Sequence, residues 1–265
     1  MKAARGHGPL DPSWRDPEAT LAERWRHLRD GVPSALFLVG GAVVLLGVLV
    51  LLGFLLTNVA NDDALGNADS SLSRWFAAHR SEDMNEVTRW TTTLGGTLPV
   101  ATMAVLVVAG AALAWRRWRE PMLVAVAVAG EVVIFLGVTM LVDRARPPVK
   151  HLDEAPPTSS FPSGHTAAAI ALYGAVAILA SERARSAALR WLFVALALAI
   201  PLVVAVSRVY RGMHYLSDVV GGILLGAIWL FLTVKAVRLG VLHHQLRKRS
   251  PDRPQGAPAR GGSAR

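Results

Sequence analysis

His214 and Asp218 stand four residues apart where a long apolar run begins. In a helix that spacing puts both side chains on one face. A carboxylate beside one ring nitrogen fixes the imidazole tautomer and leaves the other nitrogen basic, which suits a nucleophile or a base. The preceding "SRVYRG" supplies Ser207, Arg208 and Arg211, and Gly212 allows the chain to fold back sharply. Planar guanidinium groups match phosphate oxygens in geometry and charge.

A second polar patch lies upstream, in "VDRARPPVKHLDEAPPTSSFPSGH" (Val142–His165). Arg144 and Arg146 precede Pro147 and Pro148, which stop a helix. At the other end "PSGH" opens a further apolar run. A helix N-terminus offers free N–H groups and a positive dipole end, a natural anion site. Gly164 permits close backbone approach, Ser163 adds a hydroxyl, and His165 puts an ionisable group beside the anion. Two arginine sites, a helix N-terminus and two histidines suit a phosphate in transfer. Each patch alone also fits a plainer reading, a helix-end His–Asp pair with arginines snorkelling to lipid headgroups.

What must position these groups is a set of membrane helices. Of the 265 residues, 52% are hydrophobic, the mean hydropathy is +0.38, and long stretches carry no charge. Runs of about 20 apolar residues can span a bilayer. Six qualify: 34–57, 91–114, 121–142, 165–180, 187–206 and 214–237. The expected fold is therefore all-α, a bundle of six transmembrane helices. Pro201 falls inside the fifth span, where neighbouring helices can satisfy the freed carbonyl. The first span is too long, and its leader too mixed in charge, for a cleaved signal peptide.

Of the 28 Lys and Arg residues, 20 fall in the two tails and in the connections after the second and fourth spans. Positive charge favours the cytoplasm, so both termini are expected inside and the two polar patches outside. The net charge of +9 then reflects topology and attraction to lipid headgroups, and no nucleic-acid partner is expected. The chain has no cysteine, which removes disulfides and thiolate metal sites.

Three regions are expected: a cytoplasmic tail over 1–33, the membrane domain over 34–238, and a basic, disordered tail over 239–265. Between the first two spans, "SSLSRWFAAHR" places Leu72, Trp75 and Phe76 at helical spacing, with Asp69 as N-cap, and reads as one interfacial helix. Glu131 lies within the third span, where a carboxylate is costly and expected to be paired or protonated. Asp143, Lys150, His151, Asp153 and Glu154 read as solvated loop charge, with Lys150 a further candidate for substrate selection.

"RARP" (144–147), "PSGH" (162–165) and "SRVYRGMHYLSD" (207–218) together resemble the three signature motifs of the type-2 phosphatidic acid phosphatase superfamily, related to bacterial undecaprenyl-diphosphate phosphatases. The resemblance runs from the third span to the sixth. It implies a multi-pass enzyme of the cytoplasmic membrane, acting on a lipid phosphate among the membrane lipids with no metal or cofactor. His214 is the implied nucleophile, with Asp218 orienting it and His165 as acid and then base. Arg146, Arg208, Ser163 and the Gly164 N–H, with Ser207, are the implied phosphate ligands. The family's first motif usually opens with a lysine seven residues before its Arg-Pro pair. Here that position is Thr139, and Arg144 is expected to lend the missing charge. Candidate substrates are phosphatidic acid, phosphatidylglycerophosphate and a polyprenyl diphosphate, the last favoured. A phosphotransferase using the same phosphohistidine and a lipid-binding scaffold are the alternatives.

Overall fold

A backbone crossing hydrocarbon must satisfy its own N–H and C=O groups, and a continuous helix does so within one segment. The computed structural model describes residues 17–59, 63–115 and 119–249 and is helical throughout its regular elements. These are α1 (Pro17–Asn58), α2 (Ala64–Ala78), α3 (Glu82–Thr93), α4 (Thr97–Trp115), α5 (Arg119–Leu141), α6 (Gly164–Arg183), α7 (Ala187–Tyr210) and α8 (Leu216–Arg249).

Among the described residues six segments are long and apolar enough to cross a membrane: Pro33–Asn58, Thr97–Ala114, Pro121–Leu141, Gly164–Arg183, Ala187–Tyr210 and Leu216–Leu239. All six expected spans are present. The second starts later than the hydropathy implied, because Thr91–Thr93 close α3 before the chain turns at Gly95 and Gly96. The fourth reaches Arg183, so its polar beginning does not shorten it. Helix α1 already begins at Pro17 and α8 continues to Arg249, while 1–16 and 250–265 lie outside the described residues.

Two helices, not one, fill the connection after the first span. Asp63 is the N-cap of α2 and Ser81 that of α3, where the Ser81 hydroxyl accepts from the Met84 N–H. Asp69 lies inside α2 and is buried, so the N-cap expected there is displaced by six residues. Leu72 and Phe76 on the same face pack against Ala205, Val209 and Val219, which docks α2 onto the ends of α7 and α8.

Helix α6 sits between α5, α7 and α8. Its buried Ala167, Ala168, Ala169, Ala171 and Ala175 let the neighbouring backbones come close, the usual way helices associate in lipid. One apolar cluster joins α4, α5 and α6 through Val100, Val124 and Leu172. A second joins α1, α5 and α8 through Leu49, Val138 and Leu225. Leu98, Leu113 and Met140 are more than three-quarters exposed, as lipid-facing side chains of a span should be. Glu131 is 1% exposed, and its Oε2 has no hydrogen-bond partner among the described residues.

Candidate functional site

The polar groups converge at one end of the bundle, where α5 and α7 finish and α6 and α8 begin. Helix α7 is closed by a tight reversal. The Arg211, Gly212 and Met213 N–H groups donate to the carbonyls of Ser207, Val209 and Arg208 at 2.9, 3.0 and 3.0 Å. Gly212 takes φ +75, and a Cβ there would come within 2.8 Å of Val149 Cγ2. No side chain is tolerated in that conformation without strain, so the glycine sets the direction in which His214 leaves the turn.

His214 is buried, and its Nδ1 lies 2.7 Å from the carbonyl oxygen of Ser160. A carbonyl only accepts, so Nδ1 carries the proton and Nε2 is left with a free lone pair. Asp218 Oδ2 is 3.8 Å from Nδ1, beyond hydrogen-bond length, and acts on the ring as a nearby charge. Sequence spacing pointed to the carboxylate as the tautomer-fixing partner; the backbone of the connection after α5 takes that place. Burial lowers the His214 pKa, Asp218 opposes the shift, and Arg208 and Arg146 add to it.

Behind the imidazole, Asp218 is fully buried within a dense network. Its Oδ1 accepts from Arg144 Nη1 at 2.5 Å, and its Oδ2 accepts from Ser160 Oγ at 2.7 Å and the Tyr215 N–H at 2.8 Å. Arg144 also donates to Ser217 Oγ at 2.8 Å and to Asp69 Oδ2 at 3.2 Å. Asp69 in turn accepts from the Ser217 N–H at 3.1 Å and from the Ser217 hydroxyl. The Tyr215 ring covers the Arg144 guanidinium, with 4.7 Å from Cζ to its centroid. The Arg144 charge, expected to stand in for the lysine missing at Thr139, is thus shared with two buried carboxylates and a hydroxyl. Thr139 itself donates to the Leu136 carbonyl at 3.0 Å.

Arg146 and Arg208 are held differently. Arg146 donates from Nη1 to the Met213 carbonyl at 2.7 Å, but its Nε is buried with no partner among the described residues. Arg208 donates from Nη1 to Thr92 Oγ1 at 2.9 Å and Asp153 Oδ2 at 2.8 Å, and its Nε is likewise buried and without a partner. An orphaned buried donor is costly in a folded protein, and it commonly marks the place of a ligand. Both guanidinium groups lie within electrostatic range of His165 and His214.

Ser163 is the N-cap of α6, yet its hydroxyl makes no capping bond and pairs with Thr166 Oγ1 at 3.0 Å. The first N–H groups of α6, Gly164 among them, have no acceptor within their own helix. Phe135 backs Gly164 so closely that a Cβ there would meet its ring at 2.8 Å. The Ser207 hydroxyl donates to the Val204 carbonyl at 2.7 Å.

Sequence reasoning missed several residues. Asp153 is not simply a solvated loop charge, since its two oxygens meet Arg208 and Arg211. Burial opposes its ionisation, but hydrogen bonds and charge from the two arginines outweigh that and hold its pKa below the usual carboxylate value. Arg211 ties Asp153, the Leu152 and Asn85 carbonyls and Thr88 into one corner. Arg80 clamps the Tyr210 and Lys150 carbonyls. Asp69 did carry a signal, a carboxylate on the same helical face as Leu72 and Phe76.

Fold and site together define a polytopic helical membrane protein built for phosphate chemistry. The family model described as "PAP2 superfamily" matches residues 120–240. It is 27% identical over 188 residues to phosphatidylglycerophosphatase B of Bacillus subtilis, covering 69% of this chain and 90% of the relative. A crystal structure of a transmembrane PAP2-type phosphatidylglycerolphosphate phosphatase from Bacillus subtilis superposes with a TM-score of 0.65 at 25% identity. That match covers 73% of this chain and 94% of the other. The chain is thus an enzyme, a lipid phosphatase of the PAP2 type.

Proposed function

We propose that this enzyme hydrolyses a lipid phosphomonoester, phosphatidylglycerophosphate foremost, through a phosphohistidine on His214 at the outer leaflet. The observation that carries the reading is the pair of unpartnered Nε–H donors, on Arg146 and Arg208, flanking an imidazole whose Nε2 is free. The relative's activity moves the weight from polyprenyl diphosphate to phosphatidylglycerophosphate. The leaflet follows from the Lys and Arg distribution, which favours cytoplasmic termini.

In the first step the His214 Nε2 lone pair attacks phosphorus. The phosphorus–oxygen bond to the lipid breaks, and protonated His165 gives its proton to the departing oxygen. In the second step His165 takes a proton from water as the water oxygen attacks phosphorus, and the nitrogen–phosphorus bond breaks to release phosphate. Arg146, Arg208 and the N–H groups opening α6 hold the equatorial oxygens, where charge concentrates in both steps. Arg144 and Asp69 hold Asp218 in place and touch no substrate.

The test is phosphate release by detergent-solubilised protein from phosphatidylglycerophosphate, phosphatidic acid and undecaprenyl diphosphate, with and without a chelator. Release from the monoesters should survive the chelator and vanish in His214→Ala. Persistent turnover by that variant, or loss with the chelator, overturns the mechanism. The chain has no native cysteine, so Lys150→Cys in intact cells should react with an impermeant maleimide; protection from it would put the site inside.

A further inference from the structure

A fixed negative charge stands at the edge of the phosphate-binding arginines, and the mechanism does not use it. Asp153 Oδ2 accepts from Arg208 Nη1 at 2.8 Å. Arg211 approaches with Nε at 2.9 Å from each oxygen and with Nη2 at 2.6 Å from Oδ1. The Asp153 side chain is 25% exposed while both arginines are about 5% exposed, so the carboxylate lies on the open side of the pair. It also lies within electrostatic reach of His165, the group that meets the leaving oxygen.

We infer that Asp153 selects the leaving group, favouring hydroxyl-bearing alcohols and rejecting leaving groups whose departing oxygen itself belongs to a phosphate. This rests on the proposed phosphatase reading and deepens it. When phosphatidylglycerophosphate is cleaved, the oxygen departing beside His165 is an alcohol oxygen, its phosphodiester lies at the far end of the glycerol, and the glycerol hydroxyl between them can donate to a carboxylate. When a diphosphate is cleaved, the departing group is a lipid phosphate, which brings further negative charge to the same place. Arg211 cannot relieve that repulsion, because its donors are already held by Asp153, Leu152, Asn85 and Thr88. Rejection built from an unfavourable charge is a common source of specificity in sites whose attractive contacts are shared by both substrates.

The experiment compares wild type, Asp153→Asn and Asp153→Glu on phosphatidylglycerophosphate and undecaprenyl diphosphate. Removing one charge at this range should raise the diphosphate-to-monoester ratio of kcat/KM about tenfold in Asp153→Asn. Asp153→Glu keeps the charge and should keep the wild-type ratio even if both rates fall. An unchanged ratio in Asp153→Asn reduces Asp153 to a strut for its arginines and overturns the inference. Thermal protection by inorganic phosphate and by pyrophosphate reads the same preference without turnover. Wild type should gain more from phosphate, and Asp153→Asn should lose that bias. Loss of the bias in a protein with no turnover would sink the phosphatase reading and leave the selection standing. Equal protection of wild type by both anions would sink the selection.

Discussion

The arginines near His214 fall into two sets, a rear one bonded to Asp218 and a front one with donors left over, and their partners set them apart. On the rear side Arg144 is enclosed by Asp218, Asp69, Ser217 and the Tyr215 ring. On the front side, among the described residues, Arg146 and Arg208 are held only at a terminal nitrogen, and the Nε of each is left without a partner. The residue type is the same, and sequence gives no way to tell the two apart. A guanidinium whose charge is already matched contributes to architecture. One whose donors are left over, beside a free imidazole nitrogen, is available to an anion. The rear network thus holds the nucleophile, and the front pair receives what it attacks.

The largest effect should come from breaking each side in turn. Arg208→Ala removes a front donor, and losing one preorganised donor to a developing oxyanion costs about 10²–10³-fold in kcat. Asp153 keeps Arg211, so little stability should go with it. Arg144→Met leaves Asp69 and Asp218 buried without their cation, which should cost about 3–5 kcal/mol of stability. Activity and thermal unfolding in detergent, measured on both variants, read the two sides separately. A stable, inactive Arg144→Met would show that Arg144 reaches the phosphate after all.

This division also explains what was legible beforehand. Membrane spans announce themselves by length and hydropathy, and His214 with Asp218 by helical spacing, because both signals are local. The Ser160 carbonyl that fixes the tautomer has no side-chain identity to read. Asp69 reaches Ser217 across 148 positions, and Arg208 reaches Thr92 across 116. Such pairings exist only once α2 and α3 have docked. The split between those helices was nearer to hand, since Ser81 followed by Glu82 and Asp83 is a helix start by type.

An intermediate effect concerns pH. The attacking Nε2 must be unprotonated, so kcat/KM should fall on the acid side as His214 takes up a proton. Burial lowers the His214 pKa, which places that limb below the ordinary histidine range. Arg146→Gln deletes a front cation that disfavours the imidazolium, so the limb should move to higher pH. Asp69→Asn deletes a rear anion and leaves Arg144 to Asp218 alone. Asp218 then supports the imidazolium less, and the limb should move to lower pH. Parallel shifts in the two variants would erase the distinction between front and rear.

The smallest effect tests whether the front pair suffices without the family lysine. Thr139 lines a groove of about 690 Å³ with Met140, Arg146 and Pro156, so a longer side chain there has room. Thr139 now bonds its own helix and lends no donor to a ligand. Thr139→Lys would set a flexible ammonium near Arg146, where it adds Coulomb attraction to a dianion but also repels the guanidinium beside it. In so open a groove the net gain should be small, about two- to threefold in KM with kcat nearly unchanged. A kcat rise of tenfold or more would mean that the lysine acts on the transition state, and that Arg146 and Arg208 are by themselves an incomplete cradle. A lower KM alone would place the added charge in ground-state binding and leave the chemistry to the two arginines.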